Sequence, residues 1–104
     1  MGTVEMKFFF CKFYPPRKDF LSTMTPSEAQ LMKEHGAYLQ GLVEKEKVVA
    51  HGPVQDPAGG FGLSLFKIED GEDIDAFTAG DPMIIAAVGA RYEVYPMLQL
   101  RTRS

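Results

Sequence analysis

The pattern of hydrophobic and polar residues along this chain predicts four β-strands. Residues 5–14 are rich in aromatic side chains and end at two prolines, which cannot donate to a β-ladder, so they are predicted to form the first strand. Residues 47–54 and 61–68 are predicted to form a hairpin whose extended loop is rich in proline and glycine. Residues 89–96 are predicted to form the last strand.

The longest helix is predicted by an apolar stripe that follows a start signal. Thr25, Pro26 and Glu28 supply an N-cap, a proline at the first helical position and the acidic residue of a capping box, so a helix is predicted to run from there to about Glu44. Apolar side chains then recur at helical spacing, at Leu31, Met32, Tyr38, Leu39, Leu42 and Val43. This stripe is the predicted core face of the helix.

A second, shorter helix is predicted further along the chain. Asp70 is its predicted cap and Gly80 lies near its predicted end, while Asp81 and Pro82 are predicted to begin a further turn. The order strand, helix, strand, strand, helix, strand (βαββαβ) is typical of a ferredoxin-like sandwich, an α+β fold in which two helices cover one face of an antiparallel sheet. With 104 residues, the chain is expected to form one domain over residues 1–104.

Both faces of the predicted sheet are apolar. In the first strand Phe8 and Phe10 point to one side, whereas Phe9 and Phe13 point to the other, and the third strand repeats this pattern. Because two helices cover only one face, we expect the other face to join a second copy in a homodimer. Phe9 and Phe13 are taken as the outer set, with Phe8 and Phe10 as the alternative. A tail, residues 97–104, that folds back over the face is the competing explanation.

The composition argues against several classes of partner. The net charge of −3 leaves no basic stripe of the kind that nucleic-acid binding needs. The longest apolar runs, residues 6–10 and 83–89, are too short to span a bilayer, and no cleavable signal opens the chain. We therefore expect a cytoplasmic protein with no nucleic-acid or membrane partner. The single cysteine, Cys11, is predicted to be a buried thiol without a disulfide.

A histidine interrupts the apolar stripe of the long helix. His35 occupies a position where a core helix rarely places a titratable ring, and Asp56 lies in the loop of residues 52–60. A carboxylate bonded to one ring nitrogen fixes the tautomer and prepares the other nitrogen as a general base or acid. The hypothesis is a catalytic dyad in which His35 moves the proton and Asp56 orients the ring. The alternative is a structural histidine bonded to a backbone carbonyl.

Three segments of the chain resemble the YCII-related, or YciI-like, proteins. They are residues 34–39 (EHGAYL), residues 50–62 (AHGPVQDPAGGFG) and residues 80–83 (GDPM). The resemblance implies a dimeric α+β barrel fold, with His35 and Asp56 as an active-site dyad in a pocket. Better understood members of that family include a dehydrochlorinase that acts on a chlorinated hydroxyquinol, an activity that the motif alone does not transfer to this chain.

Loop residues around the predicted dyad are candidates for substrate binding. Glycines there allow close backbone approach and offer N–H groups to an oxyanion, although a tight turn explains them as well. Asp81 is a further candidate whose alternative role is a helix cap. The predicted substrate-binding residues are Gly52, Pro53, Gly59, Gly60 and Asp81.

The remaining polar residues leave alternatives open. His51 either faces the same pocket as His35 or lies on the sheet face at the dimer contact, and the second placement is favoured here. Arg17 and Lys18 either hold an acidic substrate or are simply solvated, and Arg91 has the same ambiguity. No ligand spacing typical of a metal site occurs, so neither a metal nor a cofactor is expected.

Two classes of function follow from these residues. The favoured one is an enzyme that acts on a small molecule, of the lyase or isomerase type, in which a dyad of His35 and Asp56 transfers a proton. The alternative is a dimeric domain that binds a small ligand, or serves as an accessory, without turnover. The sequence does not identify the small molecule.

Overall fold

The described part of the chain, residues 5–103 of a computed structural model, forms four strands and four helices. In chain order these are β1 (Met6–Tyr14), α1 (Phe20–Thr23), α2 (Pro26–Glu44), β2 (Val48–Val54), β3 (Phe61–Glu69), α3 (Ile74–Ala79), α4 (Pro82–Ile85) and β4 (Arg91–Met97). The α+β fold and the βαββαβ order are confirmed. None of the helices within these residues combines the length and the apolar character that a membrane crossing needs.

The strands form one sheet in the order β2-β3-β1-β4, with every neighbouring pair antiparallel. Directly paired residues lie on the same face of such a sheet. Cys11 in β1 pairs with Ser64 in β3 and Val94 in β4, and Ser64 in turn pairs with His51 in β2. These four residues therefore mark one face across the whole sheet.

The core lies between that face and the helices. Cys11 and Phe66 of the sheet are buried against Leu39 and Leu42 of α2 and Ile74 of α3. A second cluster joins three further buried side chains, those of Phe13, Phe20 and Met83. The face that carries Cys11 is therefore the helix-side face.

The assignment of Phe9 and Phe13 to the outer face is wrong, and the alternative set is the outer one. Phe13 is buried and Phe9 packs against the core, whereas Phe8 and Phe10 lie on the opposite side of β1. Alternation separates the two sets, but the helices decide which set is covered.

The outer face carries an apolar surface that no helix within residues 5–103 covers. Its apolar side chains are those of Phe8, Phe10, Phe61, Leu63, Leu65, Tyr95 and Met97. Leu98, directly after β4, is fully exposed rather than folded back against this surface. That position gives no support to a cover formed by the tail.

The long helix starts at the predicted capping box. The Thr25 hydroxyl accepts a hydrogen bond from the backbone N of Glu28 at 3.2 Å, and the Glu28 carboxylate accepts one from the backbone N of Thr25 at 2.9 Å. Arg17 donates two hydrogen bonds to the same carboxylate, at 2.8 and 2.9 Å. These bonds from Arg17 are the main reason that the pKa of Glu28 falls to about 2.

The second helix begins later than predicted. Asp73, not Asp70, caps α3, because its carboxylate accepts a hydrogen bond from the backbone N two residues further on, at 3.0 Å. Ile74, the first residue of α3, is buried in the core, and this contact fixes the start of the helix. The cap at Asp81 is confirmed, since its Oδ1 accepts a hydrogen bond from the backbone N of Met83 at 2.9 Å.

Candidate functional site

His35 lies on the sheet-facing side of α2 and is bonded to a carboxylate inside the protein. Its Nδ1 is 2.6 Å from Oδ2 of Asp81, the residue that caps α4. The imidazole also stacks on the ring of Phe13, with 4.2 Å between the ring centroids and 30° between the planes. His35 is therefore held from two sides, by a charge partner from the helices and by an aromatic ring from the sheet.

Asp81 has no exposed surface, so its carboxylate depends entirely on donors within the protein. Oδ1 accepts the backbone N–H of Met83, whereas Oδ2 receives both His35 Nδ1 and the hydroxyl of Tyr92. A buried carboxylate is tolerated only with partners of this kind. The capping bond explains why a charged residue stands here, and it leaves Oδ2 for the histidine.

Tyr92 reaches the carboxylate from β4. Burial, then the hydrogen bond to Asp81 and the negative charge of Asp81, raise the pKa of the Tyr92 hydroxyl well above its usual range. The hydroxyl therefore keeps its proton and donates a hydrogen bond to Oδ2. Tyr92 was not among the residues singled out from the sequence, although a tyrosine on the buried side of a strand needs a polar partner.

The bond to Asp81 determines which nitrogen of His35 is open. An ionised carboxylate can only accept, so Nδ1 carries the proton and Nε2 carries the lone pair. Within residues 5–103, no group forms a hydrogen bond with Nε2, yet no fully buried side-chain nitrogen or oxygen lacks a partner. Nε2 therefore reaches space that solvent can enter.

That space is a cavity of about 840 Å³ between α2, the segment around α1 and the β2–β3 hairpin. Its apolar lining includes Phe13, Phe20, Leu21, Met32 and Leu39. Its polar and charged side chains are those of Lys18, Asp19, Ser22, His35, His51, Gln55, Asp56 and Ser64. The size and the mixed lining suit a small organic molecule held by a few polar contacts.

The structure does not join His35 to Asp56 by a direct hydrogen bond, because the carboxylate bonded to His35 is that of Asp81. Oδ1 of Asp56 accepts the backbone N–H of Ala58 at 3.0 Å, which closes a turn of its own loop, and the residue is exposed. Asp side chains favour such local turns, whereas the position at the start of α4 places Asp81 directly beside His35. Asp56 still lines the cavity, so its role toward a ligand stays a prediction.

The predicted substrate-binding residues have different positions, and one of them, Asp81, is fully buried and does not line the cavity. Gly52, Pro53 and Gly60 line the cavity. Gly59 has φ of +135°, a conformation that favours glycine, and a Cβ there would lie 3.1 Å from the side chain of Lys18. Gly59 therefore shapes the turn, and the ligand contacts of the other three stay predictions.

His51 faces the cavity rather than the outer sheet face. It pairs with Ser64 on the helix-side face of the sheet, and its Nε2 lies 3.2 Å from Oε1 of Gln40 on α2. Burial, followed by the nearby His35, lowers the pKa of His51. The favoured placement at the dimer contact is therefore wrong, and the two histidines line one cavity.

The two arginines with open roles are engaged elsewhere, and neither lines the cavity. Arg17 is tied to Glu28 at the start of α2. Arg91 donates to Glu93 at 3.0 Å and lies over the ring of Tyr14 at 4.2 Å, on the outer face. Among the three basic residues considered, only Lys18 contributes to the cavity wall.

Neither a thiol nucleophile nor a metal site is supported by the described residues. Cys11 is fully buried, and burial is the main cause that raises its pKa to about 12, so the unreactive thiol form prevails. Within residues 5–103, no three His, Cys, Asp or Glu side chains come together as a metal site requires. The described titratable pair with a route to the cavity is His35 with Asp81.

Fold and site together define an α+β domain of the ferredoxin-like type, with a buried histidine–carboxylate pair beside a cavity. The YCII-related domain matches residues 8–98, so the chain belongs to the YCII-related family. This domain has the dimeric α+β barrel fold. No curated protein matches the chain closely enough to bring an activity with it.

Proposed function

We propose that this protein is an enzyme for a small molecule, of the lyase or isomerase type, in which His35 is the general base and acid. One observation carries the proposal: Nδ1 of His35 is bonded to the buried Asp81, while His35 lines the cavity and its Nε2 has no hydrogen-bond partner within residues 5–103. Asp81 thus takes the orienting role that the sequence assigned to Asp56.

The location of the pair supports a functional role over a structural one. A buried ion pair or charged hydrogen bond is often replaced by apolar residues without loss of stability, so a scaffold has little need for one in its core. A leucine at His35 would complete the apolar stripe of α2. The presence of His35 and Asp81 is explained if the open nitrogen does chemistry.

The arrangement supports a simple proton-transfer cycle. Nε2 of His35 takes a proton from an acidic C–H or O–H bond of the substrate, and the electron pair of that bond stays on the substrate. Asp81 then faces an imidazolium and stabilises its charge. In an isomerisation the proton returns to another atom, and in an elimination the electron pair expels a leaving group that takes up the proton. Gly52 of β2 and the loop residues Asp56 and Gly60 are proposed to contact the substrate.

We further propose that the protein acts as a homodimer joined through the outer faces of two sheets. The supporting observation is the large apolar surface that no helix within residues 5–103 covers. A two-fold pair of such faces buries both surfaces at once. The His35–Asp81 pair lies on the helix side of the sheet, where His35 stacks on Phe13, so this pairing does not involve it directly.

The catalytic proposal is tested by proton exchange in D₂O. Small carbonyl compounds and acids with a β-leaving group are incubated with the protein, and ¹H NMR follows loss of C–H signals or release of the elimination product. Asp81→Asn offers an amide where Nδ1 needs an acceptor, and a comparable change in a serine protease lowers turnover by about 10⁴, so a loss of about 10²- to 10⁴-fold is expected.

Two variants complete this test. His35→Asn is expected to abolish turnover while circular dichroism shows a folded protein. Asp73→Asn is the matched control, because Asp73 caps α3 as Asp81 caps α4 but makes no contact with His35. Exchange that survives in His35→Asn would overturn the proposal, and ligand binding without any exchange would favour the alternative of a non-catalytic binding domain.

The dimer is tested by sedimentation at micromolar concentration. Wild type is expected to show twice the chain mass, and Phe10→Asp, which places a charge in the middle of the outer face, is expected to give a folded monomer. Ile85→Asp is the control, since Ile85 is an exposed apolar residue of α4 on the helix side. A monomeric wild type would refute the proposed dimer.

A further inference from the structure

A second imidazole, that of His51 in β2, lines the cavity beside α2. His51 projects from β2 on the helix-side face, where its strand neighbour is Ser64, and both residues line the cavity. His35 lines the same cavity from α2. The proposed proton-transfer cycle uses His35 and leaves His51 without a role.

The hydrogen bond to Gln40 determines which nitrogen of His51 is open. Nε2 lies 3.2 Å from the amide oxygen of Gln40, and an amide oxygen only accepts, so Nε2 carries the proton. Nδ1 then carries the lone pair. No partner of Nδ1 occurs within residues 5–103, and no buried side-chain nitrogen or oxygen there lacks one, so Nδ1 reaches open space.

The two imidazoles differ in the group that each is hydrogen-bonded to. His35 is hydrogen-bonded to the carboxylate of Asp81, which stabilises an imidazolium. His51 is hydrogen-bonded to the neutral amide of Gln40, which does not. The other charged or titratable side chains at the cavity are Lys18 and Asp19 beside α1 and Asp56 in the hairpin loop. Burial and the nearby His35 lower the pKa of His51, so its ring is neutral at pH 7.

We propose that His51 determines specificity by accepting a hydrogen bond, through Nδ1, from the ligand that Nε2 of His35 contacts. Two open lone pairs in one cavity select a ligand that offers two N–H or O–H donors. A ligand with fewer donors leaves one of these acceptors without its partner, which costs binding free energy. The inference rests on the cavity of the proposed function, but not on turnover.

The test uses three flat probes of nearly the same shape with two, one and no N–H donors. These are benzimidazol-2-one, its 1-methyl derivative and its 1,3-dimethyl derivative, which suit the aromatic side chains of Phe13 and Phe20 in the cavity lining. Affinities are measured by ¹H–¹⁵N NMR titration of the full chain. Each hydrogen bond is expected to improve affinity by about fivefold, the ratio that corresponds to about 1 kcal/mol.

Two substitutions at His51 make the test specific. His51→Leu keeps the bulk but removes the acceptor, so benzimidazol-2-one should lose about fivefold and bind no better than the 1-methyl probe. His51→Asn retains an acceptor oxygen near the position of Nδ1 and is expected to restore part of the difference. Equal binding of all three probes to wild type, no binding of any probe, or an undiminished preference in His51→Leu would overturn the inference.

This result and the result of the exchange experiment are independent. A donor preference that depends on His51, together with no proton exchange on any compound, would leave the inference standing and refute the proposed enzyme. Exchange that depends on His35, together with no donor preference, would support the proposed enzyme and refute the inference about His51.

Discussion

Two short helices begin in the same way and end up in different chemical roles. Asp73 caps α3 and Asp81 caps α4, and each carboxylate accepts a hydrogen bond from the backbone N two residues further on. Asp73 is exposed, whereas Asp81 is buried and binds His35 and Tyr92 with its second oxygen. Capping occupies only one oxygen, so the second oxygen of a cap that is buried beside His35 is left to accept a hydrogen bond from the histidine.

Removal of the capping carboxylate is expected to give the largest difference in stability between the starts of α3 and α4. Asp81→Ala leaves the His35 ring and the Tyr92 hydroxyl without their acceptor and removes the cap, so a loss of about 3–5 kcal/mol in the free energy of unfolding is expected. Asp73→Ala removes only an exposed cap and is expected to lose about 1 kcal/mol. Urea unfolding measures both, and equal losses would mean that Asp81 is no more than a cap.

Removal of single hydroxyl groups should show a smaller difference. Tyr92 donates to the Asp81 carboxylate, whereas Tyr38 donates to the backbone carbonyl of Phe77 at 2.6 Å. Bonds to charged groups contribute about 1.5–3 kcal/mol and neutral ones about 0.5–1.5 kcal/mol. Tyr92→Phe is therefore expected to destabilise more than Tyr38→Phe in urea unfolding, and only Tyr92→Phe should alter the NMR signal of the His35 Nδ1 proton. The reverse order would show that Tyr92 does not support the carboxylate.

The start of α2 extends the comparison to the partly buried carboxylate of Glu28, where the smallest effect is expected. Arg17 holds the folded-state pKa of Glu28 at about 2, below its ordinary value of 4.5. A lowered pKa contributes stability above the unfolded-state value that is lost as pH falls through the folded-state value. Glu28→Gln keeps the capping box but loses this ion pair, so its stability deficit should be constant near neutral pH and shrink between about pH 4.5 and 2. A deficit that does not change with pH would contradict this assignment.

The order of the elements could be read from the sequence because it depends on local patterns. The capping box at Thr25 and the alternation of β1 each lie within a few neighbouring residues. The start of α3 could not be read, because Asp70 and Asp73 have equal capping ability and the burial of Ile74 chooses between them. Four residues in α1 are too few to show a helical period.

The candidate site divides in the same way. His35 could be identified because it breaks an apolar stripe, which is a local observation. Its partner could not, since Asp56 and Asp81 each precede a proline and look alike in the sequence. Only the packing of α4 against α2 brings Asp81 to the ring, and only the sheet register brings Tyr92 to Asp81. Contacts of this range are absent from short sequence patterns.

One side of the cavity is formed by helices and a strand, and much of the other side is formed by loops, so the two sides are expected to diverge at different rates during evolution. His35, Asp81 and Tyr92 are fixed by helices and a strand, whereas much of the opposite wall comes from the segment around Lys18 and the hairpin loop with Asp56. Surface loops tolerate substitution and insertion far better than packed elements do. Descendants of this chain can therefore change the lining of the cavity by exchanging loop sequences while they inherit the His35–Asp81 pair unchanged.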